Sequence, residues 1–121
     1  MISGTIDGNL DARIPLTLLA LDEKHEVEFI LDTGFNGYLA VSAPLVAQLR
    51  LKLGAVQSGI TADGRSGFFD TVRVVIDWHG KIRSVQAQVL DEPLIGTRLL
   101  NGNRVNANWL VGSKLIITEL A

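Results

Sequence analysis

Cysteine is absent from this 121-residue sequence, and no segment of it is rich in lysine or arginine. Without thiols the chain has no disulfide, no thiolate metal site and no thiol catalysis. The 11 basic and 13 acidic residues leave a net charge of -2. Such a surface offers little attraction to a phosphate backbone, so we expect no nucleic-acid partner.

Long apolar segments are missing as well. The uncharged segment Phe35–Leu49 is interrupted by Gly37 and Pro44, and it is shorter than the ~18 apolar residues that a membrane helix needs. We therefore expect no membrane partner. Residues Met1–Thr5 lack the basic and apolar regions of a signal peptide, which together with the absence of cysteine predicts a cytoplasmic location.

The sequence does contain enough apolar material for one core. Hydrophobic residues make up 47% of the chain and charged residues 20%, a composition typical of a folded domain. A chain of 121 residues fits one small domain and is too short for two. We therefore expect a single domain over residues 1–121.

Apolar and polar residues alternate along most of the chain, which is the pattern of half-buried β-strands. Val27, Phe29 and Leu31 share one face of such a segment, and residues 71–78 and 85–89 show the same period. Short groups of turn residues separate these segments, which predicts an all-β sandwich or barrel built from hairpins. The predicted turns lie at residues 7–9, 22–24, 63–67, 79–81, 101–103 and 112–113.

Two short helices are predicted between the strands. Ser42 is a suitable N-cap for a helix with Pro44 in its first turn and Leu45 and Leu49 on its inner side. A second helix of about one turn is predicted at residues 97–100, before the Asn-Gly pair that follows.

Asp32 is the clearest chemical signal in the sequence. An apolar strand leads directly into this carboxylate, and burying such a group is costly unless it is hydrogen-bonded. The Thr33 hydroxyl and the Gly34 amide are small donors that could satisfy it and leave the space in front of it open. Asp and Gly are also ordinary turn residues, so the triplet alone is compatible with a plain turn.

A second element, Leu94–Leu100, has the form apolar-apolar-Gly-x-x-Leu-Leu and places Gly96 64 positions after Asp32. Together with the strand that enters Asp-Thr-Gly, it resembles the retropepsin-like aspartic proteases, a family that includes the retroviral proteases. The resemblance covers most of the chain and implies an all-β, closed acid-protease barrel with one or two short helices and one lobe per chain. Residues Asp32–Leu39 are similar, more narrowly, to the small single-domain clan AA proteases of bacteria and archaea.

The resemblance implies an aspartic endopeptidase that needs no metal and no cofactor. Two carboxylates ~3 Å apart share one proton: the ionised one draws a proton from a water, and the protonated one polarises the scissile carbonyl. The sequence has a single Asp-Thr-Gly and no Asp-Ser-Gly. The second Asp32 must then come from a second copy, which makes the active form a homodimer.

The resemblance also implies roles for neighbouring residues. Thr33 bonds across the dimer axis, the Gly34 amide approaches the carboxylate, and Gly96 is small because two segments cross there. Phe35 lies beside a pocket for a peptide or protein substrate, which binds as an extended strand under a mobile flap. The residues expected at the flap tip, and in contact with substrate, are Gly64, Arg65, Ser66 and Gly67.

Three features depart from the retroviral pattern. Phe35 stands where retroviral enzymes have a small residue, the expected flap tip is polar, and residues 104–121 exceed a single short interface strand. The pattern of residues 105–118 predicts a hairpin with its turn at 112–114. That hairpin either supplies the dimer sheet or caps the fold.

The histidines and tryptophans carry weaker signals. His25 and His79 fall at predicted turns with no partner in ligand spacing, so we expect exposed residues and no metal site. Trp78 and Trp109 lie in strand patterns and are expected to pack in the core or in an interface.

Two other hypotheses stay open at this point. The chain could keep this fold as a non-catalytic peptide-binding or dimerisation module, because a groove for extended peptides is useful without chemistry. It could also be an unrelated β-barrel in which the Asp-Thr-Gly triplet occurs by chance.

Overall fold

The alternating sequence forms strands over most of its length. The computed structural model describes residues 1–54, 57–60 and 66–121, and at 57–60 and 66–68 it describes the backbone. In chain order the elements are β1 (Ile2–Ile6), β2 (Ala12–Ala20), β3 (Glu23–Leu31), β4 (Leu39–Val41), α1 (Ala43–Gln48), β5 (Gln57–Ile60), β6 (Ser66–Phe69), β7 (Thr71–Trp78), β8 (Lys81–Val89), β9 (Leu94–Ile95), α2 (Thr97–Leu100), β10 (Asn103–Ala107) and β11 (Lys114–Glu119). The prediction of an all-β fold with two short helices is confirmed.

Six strands close into a barrel, in the order β2, β3, β9, β4, β8 and β7. The last strand returns to the first, because Leu18 of β2 pairs with Ile76 of β7. The β3–β9 and β4–β8 pairs are parallel, and the other pairs are antiparallel. β2 makes the closure possible, because it is nine residues long and pairs with β1 at its start and with β7 near its end.

The barrel interior is filled by every second side chain of its strands. Ile14, Leu16 and Leu18 of β2 are buried, as are Val74, Ile76 and Trp78 of β7. Each of these large side chains stabilises the fold by roughly 1.5–3 kcal/mol relative to an exposed position. The prediction that Trp78 packs in the core is therefore confirmed.

Both helices start as the sequence predicts. The Ser42 hydroxyl caps α1 by accepting a hydrogen bond from the Leu45 amide at 3.3 Å, and a proline occupies the first turn. Leu49 follows the helix and is buried, with 2% of its surface exposed. α2 follows Gly96 and buries Leu99.

The two ends of the chain form one extension of the barrel sheet. β1 lies between β2 and β11, and β10 is the outermost strand. The predicted C-terminal hairpin is present, but its first strand ends at Ala107 and Trp109 lies in the loop, 52% exposed. Trp109 leaves the strand because its indole Nε1 donates to the Leu10 carbonyl at 2.8 Å. The prediction of a strand through Val111 was wrong.

β5 and β6 form a separate antiparallel hairpin at the place of the expected flap. Gly64 and Arg65 lie outside the described residues. Ser66 and Gly67 were also expected at the tip, but this was wrong: they belong to strand β6, where they pair with Ile60 and Gly59. Within the described ranges, no helix is long and apolar enough to cross a membrane.

Candidate active site

Asp32 stands where β3 leaves the barrel. Its amide donates to the Ile95 carbonyl at 3.0 Å, directly after the parallel pairing of β3 with β9. The residue is half-buried, and its Oδ1 accepts a hydrogen bond from the Gly34 amide at 2.8 Å, as predicted. From the part of the chain that the structure describes, Oδ2 accepts no hydrogen bond. One oxygen of the carboxylate is therefore available to another group.

The turn after Asp32 is tight. The Phe35 amide donates to the Asp32 carbonyl at 3.2 Å. A Cβ at Gly34 would lie 3.2 Å from Asp32 Oδ1, closer than most Cβ contacts, so the amide reaches the carboxylate more easily without a side chain. Thr33 is exposed at this turn. Its bond across a dimer axis stays a prediction.

Gly96 lies where two chain segments cross beneath this loop. Its amide donates to the Tyr38 carbonyl at 3.0 Å, and the next amide, of Thr97, donates to the Phe35 carbonyl at 2.9 Å. A Cβ at Gly96 would lie 2.8 Å from the Phe35 carbonyl oxygen and would overlap the Gly37 carbonyl. The prediction that residue 96 is glycine because two chain segments cross there is confirmed. The crossing joins the Asp-Thr-Gly loop to the element Leu94–Leu100, which explains why the two motif elements occur together.

The Phe35 ring packs against the same crossing. A Cβ built on Gly37 would lie 2.6 Å from Phe35 Cζ, and one built on Gly96 would lie 2.7 Å from Phe35 Cδ2. The ring therefore covers the space above two glycines of its own chain, and the residue is half-buried. Its contact with substrate stays a prediction, but its packing role accounts for a large residue at this position. Gly37 belongs to the same unit, and its position in the sequence gave no sign of this role.

A cation–π stack supports the end of the loop. The guanidinium carbon of Arg83 lies 5.6 Å from the centre of the Tyr38 ring, and that of Arg98 lies 5.9 Å from it. Arg98 also donates from Nε to the Asn36 carbonyl at 3.4 Å. Each contact at an exposed site contributes about 0.5–1 kcal/mol. The spacing of these residues in the sequence gave no sign of the stack.

The loop between β1 and β2 lies at the same end of the sheet as Asp32, because Arg13 pairs with Ile30 two residues before it. Asp7 organises this loop: its Oδ1 accepts the amides of Asn9 at 2.9 Å and Asp11 at 3.0 Å. Its Oδ2 accepts the Arg13 Nε at 2.7 Å. The Arg13 hydrogen bond, and then the Asp11 amide, lower the pKa of Asp7 below its ordinary value of 3.8.

We expect Asp7→Asn to destabilise the protein at neutral pH and to have little effect in strong acid. A carboxyl whose pKa is lower in the folded state stabilises the fold fully above pH 3.8, and this contribution disappears as the pH falls through the lowered pKa. Urea midpoints measured between pH 7 and pH 2 should therefore converge for wild type and variant. Asp22→Asn, at an exposed turn, is the matched control. A difference in urea midpoint between wild type and Asp7→Asn that stays the same at every pH would contradict the prediction.

The histidines lie apart from this site. His79 is at the predicted turn after β7, and its Nε2 is 2.8 Å from the Asn103 side-chain oxygen. His25 is not in a turn but in β3, because the chain reverses at Leu21 and Asp22, which both have positive φ. The described residues contain no group of three or more His, Asp or Glu side chains able to hold a metal ion.

The chain is similar in fold to a retroviral enzyme. A solved structure of EIAV protease complexed with the inhibitor HBY-793 superposes with a TM-score of 0.53 over 74% of this chain and 86% of that chain, at 18% identity. No family model and no curated protein matches the chain. The retropepsin-like fold is thus shown.

Proposed function

We propose that this protein is an aspartic endopeptidase of retropepsin type, active as a homodimer with Asp32 of each copy in one site. The observation that carries the proposal is the position of Asp32 on this fold. One carboxylate oxygen is held by the Gly34 amide, and the other accepts no hydrogen bond from the described residues. The loop that presents it is fixed from below by the Gly96 crossing.

The reaction follows from two carboxylates that share one proton, since like charges at ~3 Å cannot both ionise readily. The ionised Asp32 removes a proton from a water as the water oxygen attacks the scissile carbonyl carbon. The protonated Asp32 gives its proton to the carbonyl oxygen. The Asp32 that took the water proton gives it to the amide nitrogen, and the other Asp32 removes a proton from a hydroxyl of the diol. The C–N bond then breaks, a carboxylic acid and an amine leave, and the pair again holds one proton.

The substrate in this proposal is a peptide or protein segment in extended conformation. The hairpin of β5 and β6 is the flap, and it offers backbone groups to such a strand. Gly64, Arg65, Ser66 and Gly67 are proposed to lie near the substrate, and Thr33 to stiffen the pair of aspartates. The bacterial and archaeal branch and a cytoplasmic location stay predictions from the sequence.

The specific activity of the wild type is expected to rise with protein concentration, because a single chain supplies one carboxylate of the dyad. A diverse peptide pool, incubated with a dilution series and read by mass spectrometry, measures this. Light scattering on the same samples gives the fraction of dimer, which should follow the activity.

Cleavage with constant specific activity at concentrations where the protein is a monomer would contradict the shared site. A dimer that binds peptides without cleaving them would instead support the non-catalytic binding module.

A further inference from the structure

Four large apolar side chains are exposed together at one end of the sheet. Leu10 is 51% exposed, Trp109 52%, Leu110 66% and Val111 64%. They come from two loops, one between β1 and β2 and one between β10 and β11, and we call them the Trp109 patch. Clustered exposed apolar residues that include an aromatic are typical of interaction sites rather than of free surface.

Hydrogen bonds hold the two loops of the patch together. Trp109 Nε1 donates to the Leu10 carbonyl at 2.8 Å, and the Gly112 amide donates to the Ile6 carbonyl at 2.8 Å. Leu10 has a φ of 64°, a strained conformation for this residue, and its amide donates to the Asp7 carbonyl at 3.0 Å. The fold thus holds the apolar Leu10 side chain in an outward position at a cost in backbone conformational energy, which favours a preformed binding surface.

The strand registers place the patch at the Asp32 end of the sheet. Ile6 pairs with Ala12, and Arg13 pairs with Ile30, so the loop after β1 lies beside the end of β3. Thr5 pairs with Lys114, which brings the loop before β11 to the same end. The patch is therefore on the side of the molecule where a second copy must approach if two Asp32 side chains are to meet.

The edges of β1 are not available for that approach. One edge pairs with β2 and the other with β11 of the same chain. A second copy cannot insert a strand beside β1 unless this pairing is broken. A contact between copies at β1 is therefore made by side chains and not by strand pairing, and the Trp109 patch supplies such side chains near the Asp32 loop.

We propose that the Trp109 patch is the surface through which two copies of this chain associate around their paired Asp32 loops. The inference rests on the proposed function, because the need for a second carboxylate identifies the occupant as another copy of the chain. A two-fold axis brings the same patch from both copies into one contact, with the indole of each copy at its centre.

The test compares Leu110→Asn with Ile82→Asn. Both residues are exposed to a similar extent, 66% and 64%, but Ile82 lies on β8, away from the patch. Sedimentation should show that Leu110→Asn raises the dimer dissociation constant at least about tenfold, with little change for Ile82→Asn. Val111→Asn repeats the test if the first variant folds poorly, as checked by circular dichroism.

Tryptophan fluorescence gives a second readout. Trp78 is 5% exposed, so its emission should not change when two copies associate. A shift of the wild-type emission to shorter wavelength at dimer-forming concentrations therefore reports the burial of Trp109. Equal dissociation constants for wild type, Leu110→Asn and Val111→Asn would overturn the inference and leave the proposed function standing. A dimer weakened by Leu110→Asn but inactive on peptides would support the surface and reject the protease.

Discussion

Asp32→Asn is expected to lower peptide cleavage by about 10²–10⁴-fold and to leave the barrel folded. An amide cannot take a proton from the attacking water, so both the base and the acid of the dyad are lost. The Gly34 amide can still donate to the side-chain oxygen of asparagine, which preserves the turn. Initial rates on a cleavable peptide from the pool, with circular dichroism of the same samples, measure the two effects.

The matched control is Asp22→Asn, an exposed carboxylate at the opposite end of β3. It should cleave at the wild-type rate. A sharper test mixes wild type with an equal amount of Asp32→Asn and lets the two proteins exchange subunits. Random pairing then leaves about half of the original number of dimers with two wild-type chains. Activity should fall to about half. Unchanged activity after exchange would show that each chain has a complete site.

Gly96→Ala is expected to destabilise the protein by about 3 kcal/mol or more, at the upper end of what overpacking costs. The added methyl group would overlap the Gly37 carbonyl and lie 2.7 Å from the Phe35 ring, so backbone as well as side chain must shift. The urea midpoint should fall by more than about 1 M, given usual slopes of 1–3 kcal/mol/M. Because the crossing fixes the Asp32 loop, any folded fraction should also cleave slowly.

Gly8→Ala is the control for this substitution. A Cβ at Gly8 would meet nothing within 4 Å, so the same chemical change should alter the midpoint little. If Gly96→Ala and Gly8→Ala unfold at the same urea concentration, the crossing does not hold the loop as tightly as its geometry indicates.

Much of the fold follows from local rules. Strand periodicity and turn residues predicted an all-β sandwich or barrel, and Ser42 and Pro44 predicted α1, because in each case neighbouring residues decide the outcome. The closed barrel and the crossing at Gly96 were implied by the resemblance to the retropepsin-like proteases. The Asp32–Gly34 hydrogen bond was predictable for the same reason.

The parts that the sequence did not reveal depend on contacts between distant residues. Phe35 was expected beside a substrate pocket, but its packing position is set by Gly37 and by Gly96, which is 61 positions away. Alternation continues past Ala107, so the sequence predicted a longer strand. The strand ends early because Trp109 bonds to a loop about a hundred residues before it.

The outermost strand, β10, sets a limit on assembly. Within the part of the chain that the structure describes, no strand pairs with its outer edge, and an open edge invites the stacking of copies into filaments. β10 is only five residues long and contains two asparagines, which have low strand propensity. It also contains the charged Arg104, and short, charged edge strands oppose pairing with another sheet. The proposed function requires two copies of the chain, and an outer edge of this composition disfavours the addition of a third copy, so association can stop at two.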